Sequence, residues 1–134
     1  MPLSITTVAG GTGYGNVFVG PVDTVDHVKV DVSGLTTDEV DQYGYLKPGV
    51  PLSKTGTLVT SGFVYGVTIE ATKIVPNDPT NTTLGAVTAD PFVAVCVVGL
   101  VNRDILEDNL GRALTSAEIA GFDAAGSKLA LTST

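Results

Sequence analysis

Asp90–Arg112, DPFVAVCVVGLVNRDILEDNLGR, is the stretch whose reading decides the fold class. Its first half is an apolar run, Phe92–Val101, broken only by Gly99. That run is far shorter than the roughly 20 residues a membrane-spanning helix needs. Its Val-rich composition behind Pro91 predicts a strand buried on both faces rather than a core helix. The period then changes. Val101, Ile105, Leu106 and Leu110 recur at helical spacing while Arg103, Asp104, Glu107 and Asp108 fill the positions between, so a short amphipathic helix is expected. Asn102 is placed to cap its first turn, Asp104 to meet the positive end of its dipole, and Gly111 to end it. A strand that hands its chain directly to a helix points to a mainly β, α+β domain.

The composition agrees. The chain has 134 residues, enough for one domain, with 43% hydrophobic residues to build a core. That core must be made of small units: there are 20 Val and 18 Thr against 4 Phe, 4 Tyr and no Trp. β-branched residues dominate, and 16 Gly with 7 Pro supply the turns. The formal net charge of −7, with only seven basic residues, argues against direct binding of nucleic acid, which needs clustered Lys and Arg. The single Cys96 lies in the apolar run and is expected to be a buried, inert thiol, so no internal disulfide ties the fold to an oxidising compartment. The opening MPLSITTVAGG has neither the basic segment nor the apolar segment of a secretion signal, and synthesis and folding in a cytoplasm are expected. The sequon Asn81-Thr82-Thr83 then carries no meaning.

Residues 1–16, rich in Ser, Thr and Gly, are expected to form a flexible arm ahead of a single domain at 17–134. Gly11, Gly13 and Gly15 resemble a phosphate-cradling loop in spacing, but no strand precedes them and no helix follows. His27–Val32 alternates, putting Val28, Val30 and Val32 on one buried face. Thr36–Val40 reads as one helical turn with Thr36 capping and Glu39 reaching back. Pro48-Gly49 suits a type II turn, and Pro51 belongs at a sheet edge. Thr57–Thr60 and Phe63–Ile69, split by Ser61-Gly62, read as a hairpin whose second strand places Phe63, Tyr65, Val67 and Ile69 on one face and continues through Ala71–Val75. Pro76–Thr83 is a long polar turn. Thr115 and Glu118 form a capping box for a short helix carrying Ile119 and Phe122, Gly126 closes it, and Lys128–Thr132 is a last strand or docking tail.

Two groups of residues invite a chemical role. His27 has Asp23 and Asp31 on its side of the strand, yet no second imidazole or thiol accompanies it, so a solvated surface histidine is favoured over a metal ligand. Asp104, Glu107 and Asp108 form the densest acidic group, but on the wet side of an amphipathic helix they stay solvated and pair with Arg103 and Arg112. Neither group predicts catalysis, a cofactor or a metal.

The same sequence carries a resemblance. VAVCVVGLVNRDIL, Tyr43–Gly56 (YGYLKPGVPLSKTG) and Tyr65-Gly66-Val67 resemble, respectively, the late strand, the opening Pro-Gly element and the middle strand of phage head decoration proteins, the lambda D-like capsid-stabilising family. The likeness spans about residues 43–106. It implies a compact, small β-barrel or tulip-like domain, commonly a homotrimer, that binds the major capsid protein on the outer surface of a virion and cements the head, with no cofactor and no membrane partner. The arm would then pair with a shell sheet edge through Ser4, Ile5, Thr6, Thr7, Val8, Val17, Phe18 and Val19. Candidate oligomer or capsid contacts are Tyr43, Tyr45, Leu46, Pro48, Asn102 and Arg103. The arm, the Val22–Val32 strand and the unit at Thr115–Thr134 exceed the family's minimal core. The alternatives are a head-fibre or tail-associated binding module using its few tyrosines, and a small hydrolase built on the α-helical acids.

Overall fold

A computed structural model describes residues 13–74 and 90–132. Among the described residues, nine strands and two helices follow one another: β1 (Phe18–Val19), β2 (Val25–Lys29), β3 (Tyr45–Leu46), β4 (Pro51–Leu52), β5 (Gly66–Thr68), β6 (Thr72–Lys73), β7 (Phe92–Cys96), β8 (Val98–Asn102), α1 (Arg103–Leu110), α2 (Ser116–Asp123) and β9 (Lys128–Thr132). The expected mainly β domain with short helices is found. Among the described residues the strands make three open sheets, ordered β1-β8-β9, β2-β7-β5-β4 and β3-β6, and no closed barrel.

The apolar run Phe92–Val101 is not one strand buried on both faces. It is two strands in two different sheets. β7 is central in the four-stranded sheet, antiparallel to both β2 and β5. At Val97 the chain leaves that ladder, its N–H bonding Thr24 O at 3.1 Å, and β8 joins the other sheet. Burial alternates over most of the run: Val93, Val95 and Val101 are buried while Phe92, Val98 and Leu100 face out, with Cys96, where the chain changes sheet, buried as well. A run of apolar residues therefore hid an outward row.

The helix after it forms as expected. The Asn102 side chain accepts from Ile105 N, Asp104 lies in the first turn, and Gly111 ends the helix in the left-handed region. Leu106 and Leu110 point into the core. α2 has the reciprocal capping box of Thr115 and Glu118 and buries Phe122. The two helices carry the chain from β8 to β9, which pairs parallel to β8 over its whole length; parallel neighbours need such a crossover.

The hairpin expected across Ser61-Gly62 is absent. β5 pairs instead with β4, and Thr57–Thr60 lies outside the named strands, held by an isolated bridge from Leu58 to Leu52. The turn that does form is Ser53–Gly56, with Ser53 N bonding Thr57 O at 2.9 Å. Gly56 is required there: its φ is +83°, and a Cβ would lie 1.9 Å from Lys29 O. Burial also breaks the one-face reading of Phe63–Ile69, since Val64 and Thr68 are as deep as Val67. Ala71–Lys73 does not extend β5; β6 pairs with β3. Pro51 is on the edge strand β4, as its missing N–H demands. The turn at 76–83 and its sequon lie outside the described residues.

Candidate functional site

Several side chains close the gaps between these short strands. Pro48-Gly49 turns with Gly49 at φ +97°. The Thr68 hydroxyl sits inside that turn, donating to Lys47 O at 2.7 Å and accepting from Val50 N at 2.9 Å. It stands where a direct backbone bond would close the loop. Asn109 on α1 accepts from Gly15 N at 3.0 Å and donates to Gly15 O at 2.9 Å. The Tyr14 hydroxyl donates to Asp41 at 2.8 Å, and that carboxylate, with burial acting first, pushes the phenol well above its ordinary range. Lys47 Nζ reaches Leu110 O, a terminal carbonyl of α1, at 3.4 Å.

The deepest polar group is a clamp that sequence reading assigned elsewhere. Arg112 does not pair with Glu107 or Asp108. Its guanidinium donates to Glu118 at 2.8 and 3.1 Å and to Glu39 at 3.0 Å, with Asp38 3.7 Å away. Glu39 and Glu118 are both buried. Each also folds back on the threonine three residues before it: Glu39 accepts from Thr36 N and Thr36 Oγ1, Glu118 from Thr115 N. One arginine thus joins two separate capping carboxylates, Glu118 holding its charge most strongly and Glu39 next. Glu107 accepts from Leu114 N at 2.7 Å and from Arg103 at 3.2 Å, and these bonds, the Leu114 one first, lower its pKa.

The candidate contact residues divide. Val17 and Phe18 are buried, and Phe18 and Val19 pair with Val101 and Leu100 of the same chain, forming one edge of the β1-β8-β9 sheet. Gly13–Asn16 cannot be counted with a free arm, because Tyr14 and Gly15 are bonded to the body. Ser4–Val8 lie outside the described residues. Tyr43 is exposed, and Tyr45 is partly exposed with Lys73 Nζ 5.2 Å from its ring centre. Leu46, Pro48 and Asn102 are buried within the chain, and Arg103 is part-exposed beside Glu107.

His27 is exposed on the outward side of β2, opposite Ala94. Its neighbour Asp26 faces the other way and accepts from the Tyr65 hydroxyl; that bond lowers the acid and raises the phenol. Cys96 is buried, and desolvation raises its pKa. Among the described residues no three His, Cys, Asp or Glu side chains are grouped to hold a metal, and no helix is long and apolar enough to cross a membrane. Asp104 and Asp108 remain exposed on α1. Sequence reasoning missed the Arg112 clamp, whose local signal was two T-x-x-E pairs, and the outward apolar row of β8, whose signal was strict parity. Comparison with family models, curated proteins and solved structures finds no match to this chain.

Proposed function

We propose that this chain is a structural virion protein that binds the outer surface of a phage capsid and stabilises the head shell, with the major capsid protein as its partner. The observation that supports the reading best joins sequence to topology. The three separate stretches that resemble head decoration proteins supply β4, β5 and β7, consecutive neighbours in one sheet, together with β3, β8 and the start of α1. An acidic exterior suits a protein that acts at high local concentration on a shell, and the polar side chains of the interior are spent on closing turns and capping helices. Backbone pairing of an N-terminal arm with a shell, repeated over many copies on one particle, would act at high effective concentration.

The test is the ratio of this chain to the shell protein in purified particles, by quantitative mass spectrometry. A ratio near one to one is the expected result. Absence from particles sinks the proposal, and a few copies per hundred shell subunits transfers it to a vertex, fibre or tail component. Removal of residues 1–12 is expected to leave a folded domain that no longer binds heads, read by co-sedimentation with stripped particles.

A further inference from the structure

We infer that the turn between Asp41 and Tyr45 is an anchoring point for the shell protein: Tyr43 enters an apolar cleft of that protein, and Asp41 is the positioning residue that holds Tyr43 ready. The inference rests on the head-binding reading above. The turn closes between Val40 and Leu46, which form an antiparallel bridge. Inside it one oxygen of the Asp41 carboxylate accepts from Tyr43 N at 2.9 Å and from Tyr45 N at 3.0 Å, and the other accepts from the Tyr14 hydroxyl at 2.8 Å. The backbone closes the same loop twice, Asp41 N donating to Tyr45 O at 2.9 Å and Gly44 N to Asp41 O at 3.1 Å. Gly44 takes a φ of +84° there, a conformation open to glycine. The Tyr43 carbonyl is held from outside the turn by Lys73 Nζ. Both backbone groups of Tyr43 are therefore engaged before any partner arrives.

The four tyrosines are used differently. Tyr14 donates to Asp41, Tyr45 lies under Lys73 Nζ, and Tyr65 donates to Asp26 with Lys54 Nζ 5.6 Å from its ring centre. Tyr43 is 42% exposed, and among the described residues neither its ring nor its hydroxyl has a partner. The fold thus spends a carboxylate and an ammonium on fixing the backbone of a side chain it does not itself use. An aromatic ring on a fixed backbone has only two torsions left to lose, so its capture costs little entropy. Tyrosines of this kind are among the residues that carry most of an interface's binding energy when a cleft buries them. The phenol suits a cleft that is apolar along its walls and offers a hydrogen-bond partner at its end.

Position selects the occupant. The 12 residues before Gly13 join the body one residue from the Tyr14–Asp41 bond. A shell subunit that pairs with an N-terminal arm is therefore already beside this turn, and Tyr43 adds a second contact to the same tether at high effective concentration.

Co-sedimentation of the full chain with particles stripped of it tests the inference, with the urea midpoint of every variant measured alongside. Tyr43→Ala is expected to lower affinity for particles at least about tenfold and to leave the midpoint where it is. Tyr43→Phe, which keeps the ring, is expected to retain most of the affinity. Asp41→Ala releases the two turn amides and is expected to weaken binding although Tyr43 is intact. Asp41→Asn keeps an oxygen for those amides and is expected to restore it. Added to Tyr43→Ala, Asp41→Ala is expected to cost no further affinity, because it acts through Tyr43. If the native chain binds and Tyr43→Ala binds equally well, the inference is overturned and the head-binding reading stands. An Asp41→Ala loss that persists in full without Tyr43 overturns the positioning role. Should Tyr43→Ala instead separate copies of this chain and spare particle binding, the turn joins copies and the inference is again overturned. Failure of the native chain to bind removes the head-binding reading and the inference with it.

Discussion

Two parts of this molecule are held together by different means. In the β1-β8-β9 sheet, β8 and β9 rest on a regular backbone ladder of five parallel pairs, to which the two-residue β1 adds two more. The region around β3, β4 and the two helix ends has strands of two residues, too short for a ladder to fix them. There the Thr68 hydroxyl, the Asn109 amide and the Arg112 guanidinium add long-range side-chain bonds to backbone ones such as Gly49 N to Thr68 O and Lys47 N to Glu39 O. The contrast says where mutation will hurt. Polar residues carry the short-strand region.

The largest loss should follow Arg112→Met. Removing one guanidinium leaves two buried carboxylates uncompensated, a cost of about 3–5 kcal/mol, readable as the urea midpoint at neutral pH. Arg112→Lys should fall between, because an ammonium cannot reproduce the forked contact with Glu118 and Glu39. If Arg112→Met costs no more than a surface change, the contrast between the regions is wrong. Thr68→Val keeps the shape but orphans Lys47 O and Val50 N, at about 2–4 kcal/mol, measured the same way.

Glu107 sharpens the contrast through pH. Its folded pKa lies below the ordinary carboxylate value of 4.5, so its contribution is complete above that value and is lost as pH falls through the lowered one. Thermal unfolding of Glu107→Gln against the native chain should show a gap of about 1 kcal/mol at pH 6, closing toward pH 2. A gap that widens in acid would assign the Leu114 and Arg103 bonds no role. The smallest effect belongs to the laddered sheet. Val98→Thr, on the outward face, should change monomer stability by about 0.5 kcal/mol or less, measured at concentrations where the chain is dilute.

What was legible in the sequence was local. The caps of both helices, the buried Val28, Val30 and Val32, and the buried Cys96 follow from residues a few positions apart. The two-sheet path of Phe92–Asn102 was not legible, because an apolar run reveals neither its neighbours nor the residue at which it changes ladder. Thr57–Thr60 has β-favouring composition but lies beside a turn that gives its partner, β5, to Pro51-Leu52 instead. Arg112 looked like a helix-end cation pairing with acids one turn away. Its actual partners are 73 and 6 residues distant, set by tertiary packing that no spacing encodes. Exposure within one motif is also set by tertiary packing: Tyr43 stands out from the surface, while Leu46 three residues on is buried.

The laddered sheet has one more consequence. β1 runs antiparallel to β8 with Phe18 beside Val101, and β9 runs parallel to it with Thr132 beside Asn102. The chain therefore enters and leaves this sheet at the same end, two strand spacings or about 10 Å apart. A short linker could join these points, so the domain is a good subject for circular permutation, with new termini opened at the exposed Ser61-Gly62. Cargo fused after Thr132 would project from the end of the sheet where β1 begins, leaving the Val98 end unencumbered.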